Sequence, residues 1–429
     1  MAQIQKRGSS YRITVSAGYD KDGRQIRRTT TFKPTRTGPK AIEKEVAAFA
    51  HEFEKQVQEG NCLDGNKITF ADYVDTWRTE WAANHLTPSV FEAYQDNLRL
   101  YAIPALGTMS LTKIKPANVQ AILTALHGRG LASKTVRYAF TCINSVMKYA
   151  YKMQMIQENP CLRCELPKRK AQIEGIHYFD KDQAKRFLKS LDDGYMLTYP
   201  ERHRKDKRTG KILTISPYTI IRKTPLQFKV YFYLALLGGF RRGELCGLTW
   251  SAVDFRQQTI SIRQARSRTR ELGEYTKTPK TASSARVITM PAVCFELLKE
   301  LKQEQMSAAV SDPEWKGYRG KDYDKNFVFT QKNGDAINLD TPYNRLQEAI
   351  ANYNATASEE DRLPVIRLHD LRHTSATLLL SEGVDIRTVA NRLGHSQTST
   401  TLNVYAHALP AADEQAARVL SEKIADGLI

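Results

Sequence analysis

The sequence predicts a multidomain protein in three folded parts: a small N-terminal β-sheet plus one helix, an all-α middle block, and a larger, mainly α (α+β) C-terminal domain. Three observations carry that prediction. At 429 residues the chain has room for about three domains of roughly 150 residues each. Near the N-terminus apolar and polar residues alternate with the period of a strand, whereas from Phe70 onward aromatic and aliphatic residues recur at helical spacing. Beyond Tyr178 the helical patterns are broken by short extended runs, Thr259 to Arg263 and Val287 to Met290.

In the first segment, residues 1–60, Tyr11, Ile13 and Val15 alternate with Arg12, Thr14 and Ser16. Asp20 to Gly23 makes a turn, and Ile26 to Phe32 is a second extended run. Ile42, Val46, Phe49, Phe53 and Val57 then form a helical stripe that would lie across this sheet. Residues 1–40 carry ten Lys or Arg against only Asp20 and Asp22, a local net charge of +8. The exposed strand face is therefore Arg-rich, with Arg12, Arg24, Arg27 and Arg28 as candidate contacts to a nucleic-acid groove. Residues 61–67, NCLDGNK, make a polar linker.

The middle block, residues 66–165, opens with the stripe Phe70, Tyr73, Val74, Trp77 and Trp81. Pro88 starts a second helix bearing Phe91, Tyr94 and Leu98, and two more helices follow around 117–127 and 133–151. These aromatics are packing residues. Phosphate contacts would come from the opposite faces, where Lys134, Arg137 and Lys148 stand. The basic segment Leu166 to Gly175 is a strap leading to the C-terminal domain, residues 176–410. In that domain a polar stretch, Pro200 to Lys211, reads either as a disordered loop or as an added nucleic-acid contact. A tail, residues 411–429, carries Ala416, Val419, Leu420 and Ile424 at helical spacing, a stripe for docking on a neighbouring copy or on its own domain.

A formal net charge of +18 favours a polyanionic partner through counterion release, nucleic acid above all. Six cysteines in so long a chain do not make a disulfide framework, so a reducing cytoplasm fits best. Cys161 and Cys164 form one CxxC without a second ligand pair, which makes them linker cysteines and not a zinc site. No stretch approaches the roughly 20 apolar residues of a membrane span, and no apolar signal core follows Met1, so secretion and membrane insertion are not expected.

The chemistry concentrates in Arg367 to Tyr405, RLHDLRHTSATLLLSEGVDIRTVANRLGHSQTSTTLNVY. His369 and Arg372 are three apart, so on a helix both would face one solvent-side spot. Gly383 stops that helix. A second helix carries Ile386, Val389 and Leu393, and Gly394 ends it with His395 immediately beyond. Tyr405 lies one short helix later. Arginines and histidines around a phosphate can stabilise a pentacoordinate transition state, and a tyrosine hydroxyl can attack phosphorus to form an ester. No cluster of metal-binding carboxylates accompanies them.

This segment resembles the C-terminal signature of the tyrosine recombinase (phage integrase) family. Two upstream boxes extend the resemblance: GGFRRGELCGLTW, Gly238 to Trp250, and TPKTASSARVITM, Thr278 to Met290. It covers about the last 250 residues closely and the remainder by general pattern. The resemblance implies an arm-type DNA-binding domain, a helical (SAM-like) core-binding domain and a catalytic domain, the last two closing as a clamp on DNA.

It also implies roles. Arg241, chosen over the adjacent Arg242 by its place two after Gly239, and Arg372 bind the scissile phosphate. Lys280, with Lys277 as competitor, lies on a hairpin and protonates the departing 5′ oxygen. His369 and His395 share proton transfer and phosphate binding, Glu244 braces, Asp370 orients its neighbours, and Tyr405 is the nucleophile of a 3′-phosphotyrosyl intermediate. Because the ester retains the phosphodiester energy, rejoining needs no ATP, no cofactor and no metal ion. Implied partners are double-stranded attachment-site DNA, a homotetramer on synapsed duplexes, an excisionase and a host DNA-bending protein. Two other readings compete. Val384 to Ser399 also resembles a helix-turn-helix segment of a non-catalytic regulator, which leaves Arg241, Lys280 and Tyr405 unexplained. A type IB topoisomerase would share the tyrosine chemistry without strand exchange.

Overall fold

A computed structural model describes residues 2–19, 25–58, 68–168, 177–205, 210–277, 285–395, 397–405 and 421. Arg24, Lys280, the linker at 61–67 and the apolar stripe of the tail lie outside the described residues. The chain divides into two compact units, Met1–Gln172 and Ile173–Ile429. The first unit holds two of the expected segments, each with its own apolar core.

The N-terminal segment is a three-stranded antiparallel sheet, β1 (Gln3–Arg7), β2 (Ser10–Tyr19) and β3 (Gln25–Phe32) in that order, with α1 (Pro39–Gln58) packed on it. β1 is an addition to the expected pair, since QIQKR offers only Ile4 as an apolar cue. Ile13 and Val15 are buried with Val46, Ala50 and Val57, and Phe32 stacks on Phe49 at 4.2 Å. Register decides which arginines face outward. Ser16 pairs with Arg27 and Val15 with Arg28, and alternation therefore puts Arg12 and Arg27 on the face away from α1 but Arg28 on the Val15 face. Arg28 thus leaves the outward set expected from the sequence.

The helical segment contains α2 (Phe70–Trp77), α3 (Ala83–His85), α4 (Pro88–Asn97), α5 (Ile103–Leu106), α6 (Pro116–Gly128) and α7 (Ser133–Lys152). Thr69 caps α2 by accepting the Asp72 N–H at 3.3 Å. π-helical turns at Arg78–Ala82 and Leu98–Ala102 carry the chain from α2 to α3 and from α4 to α5. Phe70, Tyr73 and Trp77 are buried, and Trp81 stacks between Trp77 and His85, as their spacing predicts. Lys134, Arg137 and Lys148 fall along one side of α7, opposite Val136, Ile143 and Met147. Lys134 and Lys148 are exposed, whereas Arg137 is half-buried and its Nε donates to the Pro167 carbonyl at 3.1 Å. The cysteine expectation is corrected here: Cys161 is a core residue, 2% exposed, and burial pushes its thiol up to about 12.

The second unit begins with α8 (Lys181–Asp193), capped by Asp180. Four strands follow, β4 (Tyr195–Tyr199), β5 (Arg202–Lys205), β6 (Ile212–Ile215) and β7 (Tyr218–Arg222). β4 pairs with β7 and β5 with β6, so antiparallel ladders occupy the described part of the stretch where the sequence allowed a disordered loop, while residues 206–209 lie outside the described residues. Stacked Tyr199 and Tyr218, 4.8 Å apart, join the two ladders, with the Arg202 guanidinium over both rings. Their charged residues obscure a strand pattern that cross-strand pairs stabilise.

Next come α9 (Leu226–Gly238), α10 (Arg242–Cys246), β8 (Val253–Asp254), β9 (Thr259–Ile262), β10 (Ala265–Thr269), β11 (Gly273–Lys277) and β12 (Arg286–Thr289). β12, β9 and β8 form one antiparallel sheet, and β10 with β11 an extra hairpin between its strands. α11 (Ala292–Ser311), α12 (Thr341–Thr356), α13 (Asp370–Ser381), α14 (Ile386–Leu393) and α15 (Thr398–Tyr405) complete the unit. α9 is apolar on nearly every side and forms the axis of the core, with Tyr231, Phe232 and Leu234 fully buried. Among the described residues, no helix is long and apolar enough to cross a membrane.

Candidate active site

Two helix C-termini meet at the site. α9 ends at Gly239, φ +64°, and α14 at Gly394, φ +68°, both in the left-handed region where glycine costs least. A Cβ on Gly239 would come within 2.7 Å of Leu393 Cδ2, so glycine is also what lets the two ends approach. The last carbonyls of each helix lack intrahelical partners and carry the negative end of the helix dipole. Arginine side chains fill that need.

Arg372 of α13 is 1% exposed; its Nη1 donates to the Gly239 carbonyl and its Nη2 to the Leu393 carbonyl, each at 2.6 Å. Arg241, at the start of α10, donates from Nη2 to the Gly394 carbonyl at 2.9 Å and from Nη1 to Glu244 Oε1 at 2.8 Å. Its backbone N–H donates to Glu244 Oε2 at 2.9 Å. Two guanidinium groups are therefore fastened to consecutive carbonyls, and the next residue is His395. The His395 N–H donates to the Ala390 carbonyl at 2.9 Å, and its Nδ1 hydrogen-bonds Thr401 Oγ1 at 2.8 Å. Thr401 is fully buried on α15, the helix whose last residue is Tyr405, so this bond ties that helix to the turn.

His369 stands at the N-terminal cap of α13, edge-to-face with His373 at 5.0 Å. Asp370 is buried and accepts from the Arg367 N–H, Nε and Nη2 at 2.7, 3.1 and 2.9 Å. The expectation that His369 and Arg372 share one solvent-side face does not hold, because His369 is exposed and Arg372 buried. The unpartnered carbonyls of α9 and α14 draw Arg372 inward, and His369 precedes the first full turn.

Both imidazoles are neutral at pH 7. Burial, then the positive charges of Arg372, Arg241 and Arg286, depress His395 to about 4. Burial, then His373, Arg372 and Arg241, depress His369 to about 4, although solvent reaches this ring and screens part of the effect. For the carboxyl of Glu244, burial alone raises the pKa, but hydrogen bonds and charge from Arg286 and Arg241 outweigh it and hold the group ionised, below its ordinary range.

Arg241, Arg372 and His395 are thus brought together, with His369 at the start of the helix that carries Arg372. The Tyr405 side chain and all of Lys280 lie outside the described residues; Lys277 ends β11. Sequence reasoning missed Arg286, whose side chain is 7% exposed and pairs with Glu244 at 2.9 Å, and Thr401. The only signal for Arg286 is its position at the head of the apolar-polar run RVIT.

A model of the phage integrase family matches residues 206–411, and a model of the N-terminal SAM-like domain of phage integrases matches residues 69–127. The chain is 26% identical to a tyrosine recombinase XerC-like protein of Caldanaerobacter subterraneus subsp. tengcongensis over 96% of both chains. It is 22% identical to the ICEBs1 integrase of Bacillus subtilis, over 96% of this chain and 97% of that one. Among solved structures, the Tn1549 transposon integrase in complex with transposon right end DNA superposes with a TM-score of 0.61 at 21% identity, covering 83% of this chain and all of that one. A lambda integrase dimer bound to a core site gives 0.51 at 13% identity, over 94% of each chain. With family models aligned to both the helical block and the arginine-histidine centre, the chain belongs to the phage integrase family of tyrosine recombinases, enzymes that cleave and rejoin DNA strands.

Proposed function

We propose that this recombinase acts at specific sites to integrate or excise a mobile element, cutting each strand through a 3′-phosphotyrosyl bond to Tyr405. One observation carries the reading: Arg241 and Arg372 sit on the adjacent carbonyls of Gly394 and Leu393, one residue from His395. That arrangement presents permanent positive charge and a neutral imidazole to a single spot, which suits a phosphorane dianion. The match to integrases along most of the chain favours exchange between sites over topoisomerase action.

In the reaction the Tyr405 hydroxyl oxygen attacks phosphorus and its proton passes to a neutral imidazole, His369 or His395. Arg241 takes up charge on the nonbridging oxygens, and Arg372, whose Nη atoms hold the Gly239 and Leu393 carbonyls, adds its positive charge from beneath the site. The bond from phosphorus to the 5′ oxygen breaks, and Lys280 protonates that oxygen. Attack by a 5′ hydroxyl of a second strand reverses these steps and reforms a phosphodiester. A bound phosphate anion would raise both histidine pKa values from their depressed level and so make proton uptake easier.

Covalent capture tests the reading. A nicked duplex carrying the junction of the element that encodes the chain should yield a stable protein–DNA adduct, at an unchanged rate in EDTA, since side chains supply the charge. Strict dependence on a divalent ion would place the chain with metal-dependent nucleases, and no adduct at all would overturn the proposal.

The N-terminal sheet supports a second DNA contact. It has its own core, a strongly basic sequence and outward-facing Arg12 and Arg27. On this reading, deleting residues 1–60 spares cleavage of a core-site duplex but impairs recombination between full attachment sites. Equal recombination by the shortened protein would remove the arm-binding role. Since exchange needs four strand cuts and each chain supplies one Tyr405, the working form is a tetramer on two duplexes; an excisionase and a host DNA-bending protein are its expected accessories.

A further inference from the structure

Arg286 is a buried cation that the mechanism above does not use. It opens β12, an element distinct from those that carry Arg241, Arg372 and His395. Its side chain is nonetheless only 7% exposed and spends all three of its nitrogens on this centre. Nη1 and Nη2 donate to the two oxygens of Glu244 at 3.0 and 2.9 Å, and Nε donates to the Arg392 carbonyl at 2.7 Å. Glu244 is the same carboxylate that accepts Nη1 and the backbone N–H of Arg241. The Nη2 of Arg241 in turn rests on the Gly394 carbonyl, two residues after Arg392.

The contacts therefore close a ring: Arg286 to Glu244, Glu244 to Arg241, Arg241 to Gly394, and back along the chain to Arg392 and Arg286. Two features show that the ring is built to close dimensions. A Cβ on Gly394 would come within 2.8 Å of Arg286 Nη1, so the guanidinium occupies the space a side chain would need in the turn before His395. The only carboxylate in the ring faces two arginines, which leaves a net positive charge, and each nitrogen of Arg286 already donates within the ring. Arg241 alone of the pair retains 37% side-chain exposure and so can meet a phosphate.

We propose that Arg286 is a positioning residue for phosphoryl transfer, holding the Arg241 guanidinium and the His395 turn in one frame so that both address the same phosphate oxygen. This rests on the reading of Arg241 and His395 given above. Lysine cannot replace it, since one ammonium cannot span both oxygens of Glu244 and a backbone carbonyl in a fixed plane.

The test uses the full-length chain, Arg286→Lys and Arg286→Met, with single-turnover formation of the covalent adduct on the nicked junction duplex. DNA affinity is measured in parallel, and thermal melting shows that each variant is folded. Because a misplacement of about 1 Å can cost roughly 10²-fold in rate, Arg286→Met should lose about that factor and Arg286→Lys about tenfold, with DNA affinity unchanged. The deciding measurement repeats the assay on a duplex with a methylphosphonate at the scissile position. That group lacks the nonbridging negative charge that Arg241 neutralises, so the loss relative to the unaltered chain should shrink to about threefold or less.

Equal losses on both substrates would show a merely structural role and overturn the proposal, as would unaltered rates in a folded variant. If Arg286→Met does not fold, Arg286→Lys decides alone by the same comparison. Should the unaltered chain form no adduct on the junction duplex, the failure lies with the proposed function and not with Arg286.

Discussion

Replacing Tyr405 by phenylalanine is expected to abolish covalent attachment to DNA while leaving DNA binding intact. The substitution removes one oxygen and keeps the ring. That oxygen is the proposed nucleophile, and water has no positioned substitute for it at a centre arranged for an attacking side chain. Binding rests on phosphate contacts spread over the basic surfaces, which the change does not touch. α15 should keep its place, because the substitution leaves the hydrogen bond between Thr401 and His395 in being. A gel-shift titration and a denaturing gel on the same nicked duplex report the two properties separately. An adduct persisting in Tyr405→Phe would rule out this nucleophile.

Arg241→Ala should slow adduct formation by about 10²–10³-fold, the usual consequence of removing one preorganised donor to a developing oxyanion. The protein should still fold. Glu244 keeps its bidentate bond to Arg286, so no buried carboxylate is orphaned. The Gly394 carbonyl loses a donor, but it sits beside the exposed part of Arg241, where water can replace the bond. Arg372→Ala would be a poorer test, since loss of that sealed side chain leaves the Gly239 and Leu393 carbonyls without the donor that joins two helix ends. Single-turnover kinetics at saturating protein measure the effect. A rate within about threefold of the parent would show that Arg241 does not meet the phosphate in the transition state.

Features that declare themselves through backbone punctuation were legible in the sequence. Gly383, Gly394 and the apolar residues between them fixed the bounds of α14 and the turn that presents His395, because a left-handed C-cap selects glycine locally. The aromatic stripe Phe70, Tyr73 and Trp77 likewise announced its burial by spacing alone. What stayed hidden depends on partners distant in sequence. Arg372 turns inward because two helix ends 133 and 21 residues away lack donors. Arg286 is engaged with residues 42 and 106 positions away, and at the head of a strand nothing local distinguishes it from a solvated arginine. The strands β4–β7 were hidden by the charged residues of β5, RHRK, and β10–β11 by a composition, ARSRT and GEYTK, with no apolar face. Cys161 looked like a linker residue because the short turn carrying it folds back onto α6 and α7.

The central claim is a bond between Tyr405 and the 3′ phosphate of the cut strand, and the direct measurement is to locate that bond. Adduct formed on the nicked junction duplex is digested with protease and nuclease, and the nucleotide-bearing peptide is sequenced by mass spectrometry. The account predicts a single modified peptide containing Tyr405, joined through a 3′ phosphate, with a free 5′ hydroxyl on the released strand. Modification of any other of the 20 tyrosines, or linkage through a 5′ phosphate, would contradict it.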